Sequence, residues 1–352
     1  MHPTGLMTAL ELDYPIIQGP MNGASTLELT AEVSNAGALG SFSASSLSPD
    51  DIHSSLQQLR RLTTRSFSVN LFLLEPPQVD RAQLEDAQAL LAPIRAELGL
   101  GPATPPAQYC QDYRAQIAAL LEQAPPVVSF TFGLLDAATV AQFQRGGTRV
   151  IGTATTVAEA RAWERVGADY ICAAGSEAGG HRPSFLGEVE SSCVGLMALL
   201  PQVRAAVRVP VIAAGGMMNG QGIAAALLLG AQAAQLGTAF LCCPESGIAP
   251  AWREALQQAG DDSTRLTRTF SGKYARGIIN RFMQQMHACE ALVPPYPIQN
   301  VLTAEIRQAS ARQGKADFMS LWAGQGVGLA RPMPAAQLVR TLAQELQASG
   351  LG

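Results

Sequence analysis

The stretch Val209-Pro210-Val211-Ile212-Ala213-Ala214-Gly215-Gly216 leads, after a helix-like segment, into Ala231-Gln232-Ala233-Ala234-Gln235-Leu236-Gly237-Thr238, and no residue from Val209 to Pro244 is charged. The span is long enough to cross a bilayer. However, Gly215-Gly216, Asn219, Gln221, Gln232 and Gln235 interrupt it, and it contains no purely apolar window of the ~20 residues a spanning helix needs. It reads instead as two short apolar strands, Val211-Ala213 and Ala234-Leu236, around a helix at Gly222-Leu229. Strands that are apolar throughout, rather than alternating, belong to a parallel sheet covered on both faces.

The same unit recurs upstream. Strand-like runs fall at Pro15-Gln18, Ala38-Ser41, Phe67-Leu71, Val127-Phe130, Arg149-Gly152 and Tyr170-Ala173. Helix-like stretches lie between them at Thr26-Ala36, Thr156-Val166 and Ser191-Val207. Thr156 with Glu159 three residues on has the capping-box pattern. Eight such strands predict an α/β fold, a closed (β/α)8 TIM barrel, which typically takes about 250 residues. The chain has 352. The surplus falls after the third strand, at about 74–126, and after the eighth, at 244–313; strand-end insertions in barrels cover the mouth. The expected organisation is therefore a barrel over 1–243 with a cap insertion at 74–126, a second cap segment at 244–313, and a C-terminal return at 314–352. In that return Leu338, Val339, Leu342 and Leu346 share one face of a helix at Pro334-Gln347.

Composition narrows the function. Lys plus Arg is 24 against 28 Asp plus Glu, so nothing marks the chain for nucleic acid or an anionic membrane. The N-terminal MHPTGLMTALELDYP has no basic start followed by an apolar run, so no secretory signal is expected and the chain is read as cytoplasmic. Six cysteines include no C-x-x-C pair, which argues against a zinc site or a disulfide framework and for buried thiols. Four histidines form neither H-x-H nor H-E-x-x-H, so no metal is expected. Neither of the two lysines, Lys273 and Lys315, ends a strand-like run, which argues against Schiff-base chemistry.

Candidate site residues cluster at strand ends. Gly215, Gly216 and Gln235-Leu236-Gly237-Thr238 end the seventh and eighth strands, where barrels commonly bind phosphate with backbone N–H groups that no Cβ obstructs. Tight turns without a ligand are the competing reading. The sixth strand opens into Ala174-Gly175-Ser176-Glu177-Ala178-Gly179-Gly180-His181. His181 there is placed for proton transfer or hydrogen bonding, against a purely structural role, and Glu177 is read as capping the loop. Pro20-Met21-Asn22-Gly23 forms the first-strand loop. Asn70, on the third strand, offers a donor and an acceptor, or serves a turn.

Taken together, PIIQGPMNGAST, AEVSNAGALGS, FSVNLF, VVSFTFG, GSEAGGHRPSF, VPVIAAGGM, QLGTAFLCCPES, SGKYARGIINRF and the late WAGQG resemble the nitronate monooxygenases, FMN-dependent barrel enzymes. The last segments resemble the bacterial class I branch. The resemblance runs nearly end to end. It implies FMN contacts at Pro20, Met21, Asn22, Gly23, Asn70, Gly179, Gly180, Gly215 and Gly216, a phosphate turn at Gln235, Leu236, Gly237 and Thr238, and His181 as the active-site His. Tyr109, Tyr296 and Asn300 are implied as substrate-pocket residues from the two cap segments. Ala174 stands where the family usually has Gln, and Asn300 and Ala304 where it often has Tyr and Lys. A lost phenol and a lost cation would change how an anionic substrate is held.

The implied reaction is oxidation of an alkyl nitronate, such as propionate 3-nitronate, with O2 to a carbonyl compound and nitrite. His181 would hydrogen-bond or deprotonate the substrate. The implied partners are a small molecule and O2, for a monomer or homodimer. Two other functions share these features. One is an NAD(P)H-dependent FMN reductase acting on a quinone or an enoyl thioester. The other is a flavin-binding protein without turnover.

Overall fold

The computed structural model describes residues 4–351; His2 lies outside them. Eight parallel strands form one sheet: Ile16–Gln18, Gly40–Ser43, Phe67–Phe72, Val127–Thr131, Arg149–Ala154, Tyr170–Ala174, Val211–Ala214 and Ala233–Leu236. The first strand pairs with the last. It also meets the second through the Ile17–Leu39 bridge, where Gln18 N donates to Leu39 O at 2.9 Å and Leu39 N to Ile16 O at 3.0 Å. The sheet thus closes on itself, and the fold is a (β/α)8 barrel.

Both faces of the strands are buried, as their apolar runs require. One cluster, with Val69, Phe130, Trp163, Ile171 and Leu338, fills the space between barrel and outer helices. Another fills the barrel itself, with Ile17, Ile151, Cys172 and Ile212. A helix not anticipated from sequence, Gly5–Leu10, adds Leu6, Met7 and Leu10 to this inner cluster. Its N-cap Thr4 donates to Gln232 O at 3.1 Å, and Leu6 N donates to Gln232 Oε1 at 3.0 Å. These contacts place it at the N-terminal end of the eighth strand, opposite the C-terminal ends of the strands.

Helix ends follow local chemistry, with two departures. Thr156 caps the helix Val157–Arg165, but Glu159 does not complete a capping box. Its buried carboxylate accepts instead from Thr155 N at 2.6 Å, Phe185 N at 2.6 Å and Leu186 N at 2.9 Å, tying down the following loop. The helix expected from Ser191 begins at Leu196, where Glu177 accepts from Leu196 N at 2.8 Å. Glu177 therefore caps a helix rather than its own loop.

Within 74–126, the helix Arg81–Glu97 places Ala87, Leu91 and Ile94 in a cluster with Phe270, Phe282, Ile298 and Ile306 from 244–313. The helix Tyr113–Gln123 belongs elsewhere. Its Ile117 and Leu120 pack in the barrel cluster, which makes it the helix between the third and fourth strands. The helix Ala335–Leu346 buries Leu338, Val339, Leu342 and Leu346 and joins the outer ring. Among the described residues no helix is long and apolar enough to cross a membrane. The six cysteines are free; Cys172, Cys242 and Cys243 are buried, whereas Cys110, Cys193 and Cys289 are only half-buried.

Candidate active site

Strand register puts the glycine loops on one rim. Ala174 pairs with Ala214, Ala214 with Gln235, and Leu236 with Gln18. The loops that follow all open into a cavity of about 470 Å³. The first loop is held by Gln18, whose Nε2 donates to Gly19 O and Ser25 Oγ and whose Oε1 accepts from Ser41 N. Ser25 Oγ in turn accepts from Met21 N at 2.9 Å. This fixes Pro20, Met21, Asn22 and Gly23 along the cavity wall.

The rim has the form of a cradle for a phosphorylated ligand. Gly215 and Gly216 have φ of +117° and +73°, a backbone that L side chains rarely adopt. A Cβ on Gly179 would lie 2.5 Å from Gly324 N. The N–H groups of Gly216 and Gly237 take no backbone partner among the described residues. Gly237 opens the short helix Thr238–Leu241, the placement at which barrels bind phosphate. Thr238 Oγ1 accepts from Gly324 N at 2.9 Å, which brings the 322–326 segment over the same turn.

Asn70 is 1% exposed and lines the cavity. Its Nδ2 is spent on the barrel wall, at Ser129 O (3.1 Å), Ser129 Oγ (3.0 Å) and Thr131 Oγ1 (3.2 Å). Its carbonyl oxygen is left to accept from a ligand N–H. These residues fit a phosphorylated flavin, with a cradle for a phosphate and an acceptor for the ring.

His181 is not in a loop. With Gly180 it forms a short strand opposite Ala275 and Arg276, in a three-stranded antiparallel sheet with Thr264–Thr267. Its Nε2 lies 2.8 Å from Ser271 Oγ. Ser271 donates its single proton to Lys273 O at 3.0 Å, so it accepts from His181 Nε2–H and leaves Nδ1 as the bare lone pair. The imidazole sits among Tyr296, Trp322 and Phe132, at centroid separations of 5.2, 5.5 and 5.7 Å. Burial, with the nearby Lys273 and Arg307 charges, holds it down at about 3. Phe132, which follows the fourth strand, is held at φ +74°, and such strain in a non-glycine residue concentrates at functional sites.

The far wall comes from 244–313. Tyr296 and Asn300 line the cavity, and so does Arg307, whereas Ala304 does not. The cation whose loss was expected at position 304 is therefore present one helical turn further on. Burial raises the Tyr296 phenol to about 12 and lowers the Arg307 guanidinium to about 10. Tyr109 does not reach the cavity; it packs half-buried on the cluster shared by the two insertions.

Every other site residue named from sequence meets at this one cavity: Pro20, Met21, Asn22, Gly23, Asn70, Gly179, Gly180, His181, Gly215, Gly216, Gln235, Leu236, Gly237, Thr238, Tyr296 and Asn300. Sequence reasoning missed Phe132, Trp322, Ser271 and Arg307. Phe132 had a usable signal, since residues just past a barrel strand face the active site. Among the described residues no three His, Cys, Asp or Glu side chains gather as a metal site.

Comparison with known proteins agrees with this geometry. The nitronate monooxygenase family profile matches residues 4–345. A probable nitronate monooxygenase of Staphylococcus aureus strain Newman is 39% identical over 342 residues, covering 97% of this chain and 96% of the relative. The crystal structure of nitroalkane oxidase from Streptomyces ansochromogenes superposes with a TM-score of 0.91 at 41% identity, over 99% of this chain and 100% of that one. FabK from Thermotoga maritima gives a TM-score of 0.79 at 29% identity, over 99% and 98%. The chain belongs to the nitronate monooxygenase family and is a flavin-dependent oxidoreductase.

Proposed function

We propose that the cavity holds FMN against the glycine rim and that the protein oxidises small alkyl nitronates, propionate 3-nitronate among them, with O2 to a carbonyl compound and nitrite. One observation carries this reading. A single cavity of about 470 Å³ joins the phosphate-type rim at Gly216 and Gly237 to a wall bearing His181, Tyr296 and Arg307. The segment 244–313 acts as its cap, with 74–112 packed against the outside of that cap.

When bound, the flavin supplies the redox chemistry, taking electrons from the nitronate for delivery to O2. The protein supplies position and charge. Gly179, Gly215, Gly216, Gly237 and Thr238 seat the phosphate, while Asn70 and the loop Pro20–Gly23 fix the ring. A nitronate arrives already ionised and needs positive surroundings rather than a base; Lys273 provides them beside a neutral His181. A neutral nitroalkane must first lose a proton, and Nδ1 of His181 is the acceptor in place to take it. Its depressed basicity makes this the slower route.

The test uses purified protein as it is isolated. Acid release should give FMN by mass, and propionate 3-nitronate should drive O2 uptake with nitrite formation. Release of FAD, or no nitrite from any small nitronate, contradicts the proposal.

A further inference from the structure

The cap-side wall presents donors and no acceptor charge. Tyr296 precedes the helix Ile298–Leu302 that carries Asn300, Arg307 lies on the next helix, Ala304–Arg312, and all three line the cavity. Arg307 donates through one terminal nitrogen to Asn300 O at 2.6 Å and Asn300 Oδ1 at 3.1 Å, and through Nε to Thr303 O at 3.4 Å. These bonds have two consequences. They fix the Asn300 amide with its oxygen toward Arg307, so that Nδ2 is left as a free donor. They also leave the other terminal nitrogen of Arg307 without a hydrogen bond among the described residues, and it is not sealed from the cavity.

No carboxylate forms an ion pair with Arg307 among the described residues. The ionisable groups that face it are Tyr296 and His181, and neither is an anion at neutral pH. A half-buried cation without a counter-ion is costly, and a ligand anion is its natural complement.

We propose that Tyr296, Asn300 and Arg307 form a second anion subsite that binds a carboxylate carried by the substrate at the end remote from its reacting carbon. The proposal rests on the nitronate reading for what reacts, but the subsite is defined by its own donors. It makes Arg307 a specificity-determining residue. Substrates bearing a carboxylate are selected over uncharged chains of the same length, because only they neutralise the guanidinium.

The test separates the subsite from the reaction. Calorimetric titration of the flavin-loaded protein with propionate and with its neutral isostere propionamide should show binding of propionate only. Arg307→Met should weaken propionate at least tenfold, within the range expected for a lost hydrogen bond to a charged group, while Arg307→Lys recovers part of the loss. Equal binding of propionate and propionamide by the unaltered protein overturns the subsite without any variant having to fold. In turnover, Arg307→Met should lower the ratio of kcat/KM for propionate 3-nitronate to that for propyl-1-nitronate by about tenfold or more. An equal loss for both nitronates means that Arg307 holds the nitronate group itself and refutes the subsite. Failure to turn over either nitronate, with propionate binding intact, refutes the nitronate reading instead.

Discussion

His181 Nε2 lies 2.8 Å from Ser271 Oγ, and Ser271 is committed to the Lys273 carbonyl 3.0 Å away. This relay fixes which ring nitrogen carries the proton and leaves the lone pair on Nδ1. Replacing Ser271 with Ala removes the acceptor and frees the tautomer. A net hydrogen bond is worth about 1 kcal/mol, so kcat/KM for a neutral nitroalkane should fall about fivefold or more. Turnover of a preformed nitronate and the flavin spectrum should change less. Steady-state O2 uptake on both substrates is the measurement, and an equal fall on both contradicts the relay.

The pH behaviour follows from the same residue. Burial and two nearby cations hold His181 at about 3 in the folded protein, against about 6.5 when unfolded. Its folded value is depressed, so below pH ~6.5 the unfolded chain binds the extra proton and stability falls as pH drops toward 3. Above that window the group contributes no slope. His181→Gln should therefore lose less stability than the parent between pH 7 and pH 5 in urea melts. For the parent enzyme, kcat/KM with a nitronate should show no inflection from His181 between pH 5 and 8.

Gly179 is set by close approach. A Cβ there would meet Gly324 N at 2.5 Å and Ala323 C at 2.6 Å, both backbone atoms. Gly179→Ala must shift either the sixth-strand loop or the 322–326 segment that closes on Thr238. Overpacking of this kind costs about 1–3 kcal/mol. The variant should be isolated with substoichiometric flavin, read from the visible absorbance per chain, while far-UV circular dichroism stays unchanged.

At the opposite end of the barrel, Leu6 is fully buried in the inner cluster with Ile17, Ile151 and Ile212. Leu6→Ala leaves a cavity under the barrel and should cost about 2–5 kcal/mol, seen as a lower midpoint in chemical denaturation. Flavin content at 25 °C should be unaffected, because the plug and the glycine rim lie at opposite ends of the strands.

The eight barrel strands were legible because burial on both faces imposes continuous apolar runs, and runs such as Val127–Thr131 and Tyr170–Ala174 are recognisable without partners. The glycine rim was legible for a related reason: close approach and positive φ admit little else at Gly215 and Gly216. The plug helix was not. GLMTAL is six residues long, too short to be helical by propensity, and it is held by Thr4 and Gln232 across the whole chain. The His181–Ser271 pair spans 90 residues and exists only because Ala275–Ile278 runs antiparallel beside Gly180–His181. Arg307 looks in sequence like one more charge on an amphipathic helix; its role depends on which face the cap turns inward. Tyr109 failed for the converse reason, since its segment packs on Phe270 and its neighbours rather than over the mouth.

The most direct measurement is anaerobic mixing of the flavin-loaded protein with propionate 3-nitronate or with NADH and NADPH, following the oxidised-flavin absorbance. The account predicts rapid loss of that absorbance with the nitronate, recovery on admitting O2, and little change with either nicotinamide. Rapid bleaching by NADH or NADPH, with the nitronate leaving the spectrum untouched, would contradict it and identify a nicotinamide-driven reductase built on the same barrel.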